Sequence, residues 1–189
     1  MNDSQAELIQ INQESLATLI RGITYFQGEF SLILAVCNYR TLREKIVQHL
    51  REQCPVQMHE LVLEKSVQTL YTRIVEELGT EQPHALMIVG LESVRELDSI
   101  LTATNQIREE FRNFTFPVVL WVTDAILHKL IRLIPDFHSW ATTVEFQTTE
   151  DALILLIQQT INEVFAKVLN CRENVFLDNA AFDLEKDSA

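Results

Sequence analysis

The stretch Ser31-Leu32-Ile33-Leu34-Ala35-Val36-Cys37-Asn38-Tyr39-Arg40-Thr41-Leu42-Arg43-Glu44 decides how this chain is read. From Leu32 to Cys37 every residue is apolar, alanine or cysteine, the signature of a strand covered on both faces, as in parallel sheets. A tight turn follows. The spacing then predicts a helix capped by Thr41, with Glu44 three residues on. Phosphate-binding folds place glycines and a lysine in such a strand-to-helix turn. This turn holds neither, so the sequence speaks more clearly about architecture than about activity.

Outward from that stretch, strands and helices alternate. Ahead of it, residues 4–27 read as a helix or helix pair, with Ser4 and Glu7 as a capping box and Leu16, Leu19, Ile20, Ile23 and Phe26 at helical spacing. Gly28 stands at a helix stop. After it come a helix to Gln53 with Leu42, Ile46, His49 and Leu50 inward, and an alternating strand from Met58 to Leu63 that suits a sheet edge. A helix capped by Ser66 runs to Leu78, and Ala85–Gly90 is a second fully buried strand. Ser93 and Glu96 predict a helix to about Arg112, and Phe116–Val122 is a strand whose end, Thr123 and Asp124, caps a helix to Leu133. Pro135–Trp140 is a turn anchored by Phe137 and Trp140, followed by a short strand from Thr142 to Phe146. Thr148 and Asp151 cap a last helix to about Leu169, expected to bury Leu153, Leu156, Ile157, Ile161, Val164, Phe165 and Val168. Residues 171–189 read as an acidic, partly flexible extension, and residues 1–170 as a single α/β domain. Strand–helix alternation of this kind implies a mainly parallel five-stranded sheet between helical layers, a three-layer α/β/α fold.

Composition narrows the classes. The chain has 15 basic and 27 acidic residues, a formal net charge of -12. That balance disfavours nucleic acid and anionic membrane as partners, because phosphate neutralisation needs clustered Lys and Arg. Three cysteines (Cys37, Cys54 and Cys171) show no CxxC spacing, which suits free thiols in a reducing cytoplasm. The histidines show no ligand spacing, so no metal site is expected. The N-terminus is polar and acidic, unlike a signal peptide, and the apolar run Ala152–Ile157 is too short to cross a bilayer.

Ligands of open parallel sheets sit beyond the carboxyl ends of the strands. Those ends carry Asn38, Tyr39, Arg40 and Thr41 after the first strand, Glu92 after the third, and Thr123 and Asp124 after the fourth. They form the candidate binding site. Asn38 and Arg40 at a helix N-terminus suit an anion, Glu92 suits a base, and Cys37 is a candidate reactive thiol, though a buried inert one is the simpler reading. No arrangement for nucleophilic catalysis emerges from the spacings, so no catalytic residue is assigned.

The run Leu86-Met87-Ile88-Val89-Gly90-Leu91-Glu92, the run Phe116-Pro117-Val118-Val119-Leu120-Trp121-Val122-Thr123 and the segment through Pro135-Asp136-Phe137-His138-Ser139-Trp140 complete a pattern. Over roughly residues 12–170 it resembles the P-loop ATPase core of the AAA and STAND type found in bacterial multidomain regulatory proteins, often ahead of tetratricopeptide repeats. The resemblance implies the strand order 5-1-4-3-2. It also places the phosphate loop at Asn38–Thr41, the magnesium-binding strand end at Val89–Glu92 and the polar sensor at Thr123. The Walker glycines and lysine and the strand-end aspartate are absent, so the family's pattern is degenerate here.

The leading expectation is therefore a non-catalytic regulatory or protein-interaction module with a protein partner and no cofactor. The alternative is a nucleotide switch or ATPase using ATP and magnesium through Asn38, Arg40, Thr41, Glu92 and Asp124. A receiver-like domain ranks last, because the third strand ends in Gly90 rather than a phosphorylatable aspartate.

Overall fold

Strand β1 (Ser31–Val36) is apolar on both sides because both of its faces are covered. The computed structural model describes residues 9–148 and, in the segment that follows, residues 153, 154, 157, 158, 161, 162 and 165. Chain packing divides the molecule into a unit spanning Asp3–Gln147 and a unit spanning Thr148–Ala189.

In the first unit, α1 (Gln13–Tyr25) precedes β1. Then follow α2 (Arg40–Gln53), β2 (Met58–Val62), α3 (Leu70–Leu78), β3 (Ala85–Val89), α4 (Leu97–Gln106), β4 (Pro117–Val122), α5 (Asp124–Leu133), the short α6 (Pro135–His138) and β5 (Ala141–Glu145). All five strands are parallel, in the order β2-β3-β4-β1-β5, which is the expected order read from the other edge. The register aligns Ile33 with Val119 and Thr142, and Leu61 with Ile88.

The chain leaves β1, crosses β4 and β3 to reach β2, and then returns through β3 and β4 and past β1 to β5. Right-handed crossovers therefore place α2 on one face and α3, α4 and α5 on the other. The packing agrees: α1 rests on α2, β1, β4 and β5, while α3, α4, α5 and α6 pack on one another in sequence. Alternate strand residues serve the two layers. Leu32, Leu34, Val36, Leu86, Ile88, Val118 and Leu120 join Ile74, Leu101, Ile126 and Leu130 in one core. Ile33 points the other way, toward α1, where a Cβ at Gly22 would come within 2.9 Å of its Cδ1. The direction of travel reverses between β1 and β4, so the crevice of this sheet opens above their carboxyl ends.

At the amino ends of the strands lies a network of rings. Phe111 touches Phe30, Tyr71, Phe114 and Phe137, and Phe114 stacks on Phe116. Trp140 is half-buried against Phe30 and Phe137, with the Arg112 guanidinium 4.4 Å from its ring centre. Phe137 and Trp140 are thus anchors, as their spacing suggested.

Several helix starts differ from expectation. Thr41 does not cap α2: Cys37 still bonds the β4 carbonyl of Val122, and the helix begins at once, with extended Tyr39 in the cap position and no side-chain cap. Thr69 rather than Ser66 caps α3, accepting from the Thr72 amide, because Ser66 sits in the preceding turn. Ser93 lies in a 3-10 turn (Leu91–Ser93), so α4 waits until Leu97, and its continuation past Gln106 tightens into a 3-10 segment, Arg108–Asn113. Residues 9–11 are helical and Asn12 interrupts the run. Its buried side chain donates to Gln147 O at 2.8 Å and accepts from Gln147 N at 2.7 Å.

In the second unit the described residues are helical, but Ile157, Ile161 and Phe165, expected inward, are exposed, as is Ile154. Periodicity reveals an apolar stripe and says nothing about what covers it. The Ser4–Glu7 box, the Thr148–Asp151 cap through its Asp151, Leu156, Val164, Val168, Cys171 and the extension 171–189 lie outside the described residues.

Candidate functional site

The turn between β1 and α2 is only Cys37, Asn38 and Tyr39. A phosphate loop of the Walker type runs over about eight residues, with glycines letting successive amides point inward. No residue of this turn has positive φ; among the described residues that conformation belongs to Gly28, Gly79 and Gly90 alone.

Two polar pairs lie at the strand tips. The first joins β1 to β4. Asn38 Nδ2 donates to Asp124 Oδ2 at 2.5 Å, and the Asp124 amide donates to Asn38 Oδ1 at 2.9 Å. The amide at the start of α5, the group an anion would seek, is thus met by an internal acceptor. Thr123 caps the same helix, accepting from the Ile126 amide at 3.4 Å. The second pair joins α2 to the turn after β3: Arg43 Nη1 and Glu92 Oε1 lie 2.7 Å apart, with the Arg43 side chain only 12% exposed.

Gly90 sets up this second pair. It adopts φ 94°, and a Cβ there would stand 3.1 Å from Leu63 O and 3.3 Å from Leu63 N. Only glycine combines that backbone with that approach. The chain then folds into the 3-10 turn that carries Glu92.

The structure therefore brings Asn38 and Asp124 into direct contact, with Thr123 beside them, and directs Glu92 to Arg43. It does not gather Arg40 with them: Arg40 is 82% exposed and its Nε bonds Glu44 at 2.8 Å within α2. Tyr39 is exposed, and Thr41 is half-buried in the first helical turn. Cys37 is buried and donates to Tyr39 O at 3.4 Å. Burial pushes its thiol above the ordinary cysteine range against the lowering pull of that hydrogen bond, so it is an inert sulfur at neutral pH rather than a nucleophile.

Sequence reasoning missed Arg43. Its signal was present: Arg43, Ile46 and Leu50 fall at i, i+3 and i+7, so this cation shares the inward face of α2. Among the described residues, no three His, Cys, Asp or Glu side chains converge as a metal ion would require. No described helix is long and apolar enough to cross a membrane.

No protein-family model matches the chain, and no curated protein matches it at a significant level.

Proposed function

We propose that this chain is a regulatory, protein-binding module on a P-loop ATPase-like scaffold whose nucleotide site is closed by its own side chains. One observation carries the reading: the carboxyl ends of β1 and β4 are bridged by the reciprocal Asn38–Asp124 pair. By the resemblance Asn38 stands in the phosphate loop, and Asp124 follows the polar-sensor position Thr123. Here the acceptor and donor groups satisfy each other, and Glu92 is engaged by Arg43. Binding a triphosphate would require both pairs to open and a longer loop to replace a three-residue turn.

The test is calorimetric titration with ATP and magnesium. The expected result is no binding in the micromolar range. Micromolar binding that vanishes in Arg40→Ala would overturn the reading and favour the nucleotide switch, in which Glu92→Gln should then abolish turnover.

A further inference from the structure

The two edges of the sheet are finished differently. Along β2, His59 Nε2 lies 3.4 Å from Glu77 Oε1, Arg73 bonds Glu77 at 2.7 Å, and Arg51 pairs with Glu60. Charged side chains along an edge deter strand addition. β5 reads Ala141-Thr142-Thr143-Val144-Glu145, without lysine or proline, and its single charge stands at its end.

The outer backbone of β5 can be followed residue by residue. Phe146 N donates to Val36 O, so Val144 and Thr142 also turn their backbone groups toward β1. Ala141, Thr143, Glu145 and Gln147 turn theirs outward. Asn12 occupies both groups of Gln147, and Ser15 Oγ donates to Glu145 O at 2.7 Å. Ahead of those clips, among the described residues, the row of Ala141 and Thr143 faces no strand, since there β5 pairs with β1 alone. Beside it, between α1 and β5, lies an apolar groove of about 540 Å³ bounded by Gly22, Phe26, Ile33, Val144 and Tyr25. Tyr25 is 82% exposed.

We propose that β5 is a dimerisation strand that pairs antiparallel with β5 of a second copy, about a two-fold axis through Thr143. The strand is self-complementary in that register. Thr143 opposes Thr143, a favourable cross-strand pair with both backbone groups open, and Glu145, whose carbonyl already accepts from Ser15, opposes Ala141, so carboxylates never meet. Centring the pairing on Glu145 instead would oppose two carboxylates and run into the backbone held by Asn12. Thr142 of one copy meets Val144 of the other on the groove side, which joins the two grooves into one apolar surface across an isologous interface. The proposal is independent of the nucleotide reading, since a chain that bound ATP would dimerise in the same way.

Light scattering on the full chain over a concentration series tests it. The expected mass is twice 21.8 kDa at the upper end of the series. Thr143→Lys, which sets like charges opposite each other, and Thr143→Pro, which removes an outward N–H, should each weaken dimerisation by about tenfold or more with circular dichroism unchanged. Val62→Lys on the β2 edge should leave the dimer intact. A monomer at every concentration would overturn the proposal, as would a dimer whose dissociation constant neither Thr143 variant moves.

Discussion

The two ends of the sheet are held by different physics. At the amino ends, Phe30, Tyr71, Phe111, Phe114, Phe116 and Phe137 pack ring against ring, and Phe111 is fully buried. At the carboxyl ends the joints are polar: Asn38 with Asp124, and Arg43 with Glu92. Ring packing is strong and carries no charge for salt to screen. Polar pairs at a half-open surface contribute little net free energy but fix which groups remain for a ligand. The carboxyl end is the place where a parallel sheet can most readily host a small molecule, and here Asn38, Asp124, Arg43 and Glu92 are engaged with one another.

The largest expected effect tests the aromatic end. Phe111→Ala should cost about 3–5 kcal/mol in urea denaturation, because a buried ring leaves a cavity that its neighbours cannot fill. A cost under about 1 kcal/mol would mean that the network repacks freely and the contrast fails. Next comes the carboxyl end. Arg43→Ala should cost about 1–2 kcal/mol by the same measurement, and Asn38→Ala about 1 kcal/mol through loss of the α5 amide acceptor. Values for these two that equalled Phe111→Ala would show the polar end to clamp as firmly as the aromatic one and remove the contrast. The smallest effect is on pH dependence. Burial raises the Cys37 thiol, so its contribution to stability is present below the ordinary thiol pKa and is lost as pH rises past it toward the raised value. Stability of Cys37→Ala relative to the unaltered chain should therefore improve on going from neutral to strongly alkaline pH. A difference that stays flat over that range would place the thiolate in a polar setting.

The strands most legible in the sequence were those with both faces covered. β1, β3 and β4 appear as unbroken apolar runs because a parallel sheet between two helical layers leaves no wet face. β2 showed its edge position through alternation, since Leu61 is buried while Glu60 and Val62 are exposed. Helix starts were less legible: a cap depends on where an amide points, and Ser66, Thr41 and Ser93 have the right chemistry one turn away from the right geometry. Asn38, Thr123 and Asp124 were legible as strand-end residues, but the bonding of Asn38 to Asp124 was not, because it joins positions 86 apart in sequence. The Arg43–Glu92 pair was hidden for the same reason, lying across a separation of 49.

Asn12 has a consequence for how the protein is made. Its amide closes on Gln147, 135 residues further along, so this clip beside α1 cannot form until the chain past β5 has been synthesised. At ribosomal rates of about 5–20 residues per second, that leaves the clip open for on the order of ten seconds. During that interval Leu16, Leu19 and Ile23, fully covered in the finished fold, have no β5 beside them. The apolar face of α1 is therefore completed only when β5 joins the sheet, and the Asn12 carboxamide ties the two together across 135 residues.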